Sequence, residues 1–350
     1  MATCPTPLSR RLVTVLLVLS LVLIGAILVS AALGPVRIPW EHTAAILLRR
    51  IGITTAIPVT DREFLMVDQI RLPRILVGGL VGAALGVSGV VMQALFRNPL
   101  AEPGVVGVSS GAALGAVAAI YLGWTDLSRW ILPAAAFVGA MAAVILVFLV
   151  WSRTHRSGVG TLLLLGIGIN SFLSAVISLL VANARHESEL RGIIYWLQGG
   201  LEARTWEHVY LVAGPILVGC LLLMAFARDL NMLLLGDEQA RTSGIDVTRT
   251  RALLLAIASV ITGAAVAVSG IIGFVGLVIP HGLRLVAGPD HRLLLPASAL
   301  GGASFLIIAD TISRLAWNPI TIQVGVVTSL VGAPFFLYLV LRGDRKGATR

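Results

Sequence analysis

Apolar residues in this chain fall into long unbroken runs rather than into alternating or helical-stripe patterns. Ten runs stand out, near residues 12–33, 75–94, 104–122, 130–151, 159–182, 209–227, 252–268, 271–287, 293–312 and 322–341. A bilayer core of about 30 Å is crossed by roughly 20 apolar residues in a helix. The pattern therefore predicts an all-α, polytopic membrane protein of ten transmembrane helices in one domain spanning 1–350. An even number of spans places both termini on one side. The seventh and eighth spans are separated by little more than Ser269-Gly270. Between the first two, Trp40 to Ile51 reads as an amphipathic helix on the outer surface, with Ile46, Leu47 and Ile51 on one side and Glu41 and Arg49 elsewhere.

Composition agrees with this reading. The chain is 57% hydrophobic and 12% charged, where soluble domains have about 45–50% and about 25%. Its net charge of +9 does not point to nucleic acid, because the basic residues sit in short segments between apolar runs, as expected of loops beside lipid headgroups. With a cytoplasmic N-terminus the inner side receives Arg10, Arg11, Arg97, Arg153, Arg156, Arg228, Arg241, Arg249, Arg251, Arg284, Arg292, Arg342, Arg345, Lys346 and Arg350, which is 15 of the 26 basic residues. The rest concentrate in long segments, which weigh little in setting orientation. The run Leu12 to Leu33 exceeds a signal-peptide core of about 7–15 residues and is expected to remain as the first span. Cys4 and Cys220 are too differently placed to imply a disulfide framework or thiolate site.

Polar residues inside the runs are few. Glycine occupies 37 positions, and Gly78, Gly79, Gly82, Gly86 and Gly89 crowd the second span, which reads as a close helix-packing face and alternatively as the smooth wall of a pathway. Asp310 lies four residues before Arg314 and is expected to pair with it on one helix face. A proton- or ion-driven carrier would require more buried acids. The histidines His42, His155, His186, His208, His281 and His291 are scattered, so no catalytic or metal-ligating constellation forms. His281 beside Arg284 reads as a helix-end residue rather than a haem ligand.

Residues 228–247 carry the strongest local signal. Here Asp237 is expected to cap a helix whose start suits Glu238, and Gly244 to end it. Two short helices hinged at Gly236 result, and such a pair is a handle for a soluble partner.

This loop resembles that of the FecCD or BtuC-like permeases of type II ATP-binding-cassette importers. The resemblance continues through Arg71-Leu72-Pro73-Arg74, through Gln93 to Pro103 running into Gly107-Val108-Ser109-Ser110-Gly111, through Tyr195-Trp196-Leu197-Gln198-Gly199, and through Gly270 to His281. It implies a homodimer in the bacterial inner membrane with both termini cytoplasmic, two ATPase subunits below and a periplasmic binding protein above. It implies no catalytic site and no stably bound cofactor on this chain. By the same resemblance the gate falls on Asn98, Leu100, Val159, Gly160 and Thr161. Val159 and Gly160 stand where the cobalamin permease has threonine and serine. ATPase coupling falls on Leu235, Gly236, Asp237, Glu238, Ala240, Arg241 and Gly244. Docking of the binding protein falls on Arg71, Arg74 and Arg314. The stretch Glu189 to Leu197 is most similar to that of haem permeases, which makes haem the expected substrate, with ferric siderophores and cobalamin as alternatives.

Overall fold

The computed structural model describes residues 7–34, 36–153, 159–317 and 321–347. Helix α1 (Pro7–Ala32) is followed by α2 (Trp40–Arg50), and α3 (Asp61–Leu65) leads through one π-helical turn (Met66–Arg71) into α4 (Leu72–Leu95). The second span thus begins well before residue 75. Thr60 and Glu63 form a capping box, the Glu63 N–H donating to Thr60 Oγ1 at 3.3 Å and the Thr60 N–H to Glu63 Oε2 at 3.0 Å. Pro73 lacks an N–H, and the helix passes this gap by widening, the Leu72 N–H reaching back to the Val67 carbonyl.

Five further helices, α5 (Val108–Tyr121), α6 (Ile131–Arg153), α7 (Val159–Ala182), α8 (Glu187–Gln198) and α9 (Trp206–Ala225), lead to the short pair α10 (Ala227–Leu235) and α11 (Asp237–Thr242). The chain ends with α12 (Val247–Ser269), α13 (Val275–Ala287), α14 (His291–Leu315) and α15 (Val324–Gly347). Among the described residues, seven helices are long and apolar enough to cross a membrane, and three shorter apolar ones, Val108–Tyr121, Val275–Ala287 and Val324–Tyr338, match the other predicted runs. The apolar runs at 104–122 and 271–287 are therefore helical only in part. A 3₁₀ turn (Pro103–Val106) and left-handed Gly107 (φ 91°) delay α5, and Gly270 (φ 66°) and Phe274 (φ 67°) delay α13. The two delayed starts meet: the Phe274 backbone hydrogen bonds to the carboxyl of Glu102, an acid the hydropathy pattern had assigned to a loop.

Helices α4, α12 and α14 form the core. Glycine makes the α4–α14 contact possible: a β-carbon on Gly82 would lie 2.2 Å from the Gly302 carbonyl oxygen, one on Gly302 2.2 Å from that of Gly82, and one on Gly86 2.3 Å from that of Ser298. The glycine run of the second span is thus a packing face rather than a pathway wall. Gln93, buried in α4, donates to the Leu277 carbonyl at 3.2 Å and accepts from Arg284 at 2.8 Å, tying α13 to the same core. By contrast α1 and α7 expose leucine, valine, isoleucine and phenylalanine such as Leu17, Leu21, Leu164 and Phe172, as apolar solvent allows. In α2, Ile46 is buried, while Ile51, just past the helix end, is exposed, so the predicted apolar face of Ile46, Leu47 and Ile51 is not a single one.

Candidate functional site

The helix pair α10–α11 sits at the end of the bundle where α4, α6 and α9 finish and where α12 and α14 begin. Its hinge is Gly236, whose φ of 129° and ψ of 158° belong to a region open essentially to glycine. The expected cap is corrected. Gly236 itself is the N-cap and Asp237 is the first helical residue, because its carboxylate is taken by two arginines from elsewhere. Arg251 of α12 grips it in a fork, at 2.8 Å from Nη1 to Oδ2 and 2.6 Å from Nη2 to Oδ1, and Arg97 binds Oδ1 as well. Hydrogen bonds from Arg251, then the charges of Arg251 and Arg97, hold the Asp237 carboxyl below the usual carboxylate range against the opposing effect of burial. Ala240 is buried, as are Leu230 and Leu233, whereas Leu234, Leu235, Glu238, Gln239 and Arg241 face outward. Of the seven residues expected to contact a partner, Leu235, Glu238 and Arg241 are presented, Asp237 and Ala240 hold the pair to its own bundle, and Gly236 and Gly244 (φ 85°) shape it.

The pair is also joined to α14. Asn231 Nδ2 donates to Asp290 Oδ1 at 2.8 Å, and the His291 N–H donates to Asn231 Oδ1 at 2.9 Å. Sequence reasoning missed Asn231, Arg97 and Arg251, since each acts across more than 10 positions of sequence and no local pattern marks it.

The turn after α4 begins with Arg97 in the left-handed region (φ 47°). Asn98 Oδ1 accepts from the Leu100 N–H at 2.9 Å, closing an Asx turn, and Leu100 is 41% exposed. Thr161 is half-buried and Gly160 exposed at the start of α7. The next residue, Leu162, lies in one apolar cluster with Leu95 of α4. The structure thus brings the two segments expected to form the gate to one end of the bundle, with the side chain of Val159 outside the described residues.

The three expected docking arginines lie at the opposite end, and the structure corrects their surroundings. Arg71 is 5% exposed and donates to the carbonyls of Ala31 at 2.6 Å, Ala32 at 2.9 Å and Val36. Arg314, 7% exposed, reaches Ser30 Oγ at 2.7 Å and the Leu33 carbonyl at 3.2 Å. Between them they satisfy the carbonyls that the C-terminus of α1, without a basic residue of its own, leaves unpaired. Asp310 pairs with Arg314 at 3.2 Å as expected, and more closely with Arg74, at 2.7 to 3.0 Å over three hydrogen bonds.

Beside this cluster lies a cavity of about 550 Å³ bordered by α8, with Glu189, Tyr195, Trp196, Glu202, Arg204 and Gln323 among its walls. One buried oxygen of Glu202 and the Nε of Arg204 have no hydrogen-bond partner. Burial, with Arg74 nearby, pushes the Arg204 guanidinium down to about 10, against the pull of Glu202, so it stays charged at neutral pH.

A model of the FecCD transport family matches residues 21–342. The chain is 43% identical over 350 aligned residues to the cobalamin import system permease protein BtuC of Halobacterium salinarum, covering 91% of this chain and 93% of that one. It is 44% identical over 277 residues to the hemin transport system permease protein HmuU of Yersinia pestis, covering 78% and 82%. A solved structure described as an inward-facing conformation of a metal-chelate type ABC transporter superposes with a TM-score of 0.83 at 31% identity, covering 94% of this chain and 99% of that one.

Proposed function

This chain belongs to the FecCD transport family and is a multi-pass permease subunit of a type II ABC importer, and from that premise we propose that it carries haem inward across the bacterial inner membrane as a homodimer. The observation that carries the importer mechanism is the helix pair α10–α11, which offers Leu234, Leu235, Glu238 and Arg241 at one end of the bundle as the grip for an ATPase subunit. Hydrolysis takes place on that partner. This chain's part is to switch between two openings, each favoured by a different state of the partner.

The ATPase end is cytoplasmic in this proposal, and both termini lie on that side. The opposite end receives a binding protein. Arg71 and Arg314 are committed to α1 there, so docking through the arginines runs through Arg74, at 14% the most exposed side chain of the Arg74–Asp310–Arg314 cluster, which would exchange Asp310 for a carboxylate of the partner. The outward apolar face of α7 is the surface for the second copy, with Gly160 and Gly168 free of any neighbour within 4 Å.

Haem as substrate is supported by the Glu189 to Leu197 stretch, whose residues border the outer cavity, and by the resemblance to a permease named for hemin. Cobalamin is the second reading, favoured by the relative that spans 91% of this chain. Both are bulky metal-chelating macrocycles. Proteoliposomes holding the permease with its ATPase and binding protein, given ATP, are expected to accumulate haem, read by the Soret band inside washed vesicles. Uptake of cobalamin without haem would replace the substrate, and absence of ATP-dependent uptake of any metal chelate would overturn the importer reading.

A further inference from the structure

The Asp237 side chain is 43% exposed, and its carboxylate is engaged by its own bundle. It faces Arg97, on the turn after α4, and Arg251, on α12, more than 100 and just over 10 positions away in sequence. Arg251 on α12 is 11% exposed and holds the carboxylate in a fork, a geometry that fixes direction as well as distance. Arg97 on the far side uses its Nε on the Leu233 carbonyl at 3.2 Å, one of the orphan carbonyls of the last turn of α10, and a terminal nitrogen on Asp237. A single arginine therefore spans the Gly236 hinge, touching both helices of the pair.

The backbone of that arginine is itself unusual. Arg97 has φ 47°, a conformation unfavourable for a residue with a β-carbon, and it persists where surroundings over-determine it. Here the end of α4 holds it, through the Arg97 N–H on the Ala94 carbonyl at 3.3 Å and the Asn98 N–H on the Gln93 carbonyl at 3.2 Å. The next three residues are the turn Asn98 to Leu100, closed by its own side-chain hydrogen bond and continued by the Ala101 N–H on the Asn98 carbonyl at 3.1 Å. A displacement of α11 relative to α12 must lengthen either the Arg97 or the Arg251 contact, since one carboxylate cannot follow both. Arg97 directly precedes Asn98, so a pull on its side chain is delivered to the backbone that enters the turn carrying Leu100.

We propose that the Arg97–Asp237–Arg251 clasp is the link by which movement of the α10–α11 pair reaches the gate turn at 98–100, with Asp237 as its positioning residue. The proposal rests on the importer reading for the existence of a moving partner, and it assigns to Asp237 a role distinct from gripping that partner. The partner surface is Leu235, Glu238 and Arg241, and the clasp lies beside it, with Arg97 and Asp237 each 43% exposed and Arg251 11% exposed.

The test uses the permease in complex with the ATPase subunits it is expressed with, reconstituted in nanodiscs and spin-labelled at Leu100→Cys in a background without Cys4 and Cys220. Double electron–electron resonance reads the distance between the two copies of residue 100 with and without ATP, under conditions that trap the nucleotide. In the parent chain ATP is expected to shift this distance. Asp237→Asn and Arg97→Gln are each expected to lose the shift while binding the ATPase subunits with the parent affinity, and Asp237→Glu to restore part of it. Because Arg97→Gln removes a surface-exposed side chain, it keeps the test open if the Asp237 variant fails to fold. A shift as large in both variants as in the parent, with ATPase subunits bound, overturns the clasp alone. A parent chain that shows no ATP-dependent shift and retains no ATPase subunits overturns the importer reading, and the clasp's role falls with it.

Discussion

Asp310 is the strongest test of how the outer charges are used. Its carboxylate is 3% exposed and faces Arg74 at 14% and Arg314 at 7%. Three hydrogen bonds of 2.7 to 3.0 Å arrive from Arg74 and one of 3.2 Å from Arg314. Asp310→Ala leaves two buried guanidiniums facing each other across an empty site. Breaking a buried pair by removing one partner costs about 3–5 kcal/mol. Arg314 keeps Ser30 and Leu33, so the loss falls chiefly on Arg74 and lies toward the lower end, about 3 kcal/mol, or roughly a 100-fold change in an equilibrium constant.

Membrane proteins of this size lose structure irreversibly on heating, so the measurable quantity is a rate. Purified protein in a mild detergent is held at a fixed temperature and the surviving monodisperse fraction followed by size exclusion. Asp310→Ala is expected to inactivate up to roughly 100 times faster than the parent, of the order set by about 3 kcal/mol. Removing the stranded charge as well, in Arg74→Met with Asp310→Asn, is expected to recover much of the loss, because an ion pair replaced as a whole by uncharged groups is often nearly neutral. Arg314 stays in place, since it also satisfies α1. An Asp310→Ala protein that decays within about threefold of the parent would refute the reasoning and show that Arg74 is already free for another partner.

Other outcomes follow from the same coordinates. Gly82→Val, whose β-carbon meets the Gly302 carbonyl oxygen at 2.2 Å, is expected to abolish folded yield, whereas Gly25→Ala, with nothing within 4 Å, is expected to leave it unchanged. Expression as a fluorescent fusion reads both. The clasp is expected to be insensitive to pH near neutrality. A carboxyl held low in the fold, as Asp237 is, contributes stability above its unfolded value of about 3.9 and loses it only as pH falls through its folded value. A thermal midpoint that falls between pH 8 and pH 6 in the parent and not in Asp237→Asn would contradict this. Leu100→Cys on the two copies is expected to cross-link in one nucleotide state and less in the other. The same yield in every state would remove residue 100 from the gate.

How far the sequence was legible depends on the range of the forces involved. Each apolar run corresponds to an apolar helix, because hydropathy is a local property and every backbone group in lipid must be bonded within its own segment. The helix pair and its hinge were readable for the same reason, as Gly236 and Gly244 act on their immediate neighbours. The breaks at Gly107 and Phe274 were not, because a helix can start late when another late start lies beside it, here across Glu102, and nothing in either run shows the other. Asp237 looked like a cap because capping is a local rule, and it was claimed instead by arginines from the turn after α4 and from α12. The burial of Arg71 and Arg314 was out of reach in the same way, since it depends on α1 ending beside them, a fact of tertiary packing.

Helices α4 and α14 are fused along glycine contacts too close to admit a β-carbon, and polar links fix both of their ends. At one end Arg74 joins Asp310, and Arg71 and Arg314 hold α1. At the other, Arg97 on the turn after α4 joins Asp237, and Asp290 and His291 at the start of α14 join Asn231. Close-packed backbone of this kind is bistable rather than elastic, since a small slide drives carbonyls into α-carbons. The pair therefore moves as a body or not at all. The helices with little surface buried inside the chain are α1 and α7, and the links able to break are polar and terminal. Movement of α10–α11 reaches this body at two points, Asp237 through Arg97 and Asn231 through Asp290, both within one short helix pair. In the proposed transport cycle, opening and closing consist of rearrangement around a rigid α4–α14 core, with the 98–100 turn as the part of the chain after α4 that lies outside the glycine contacts.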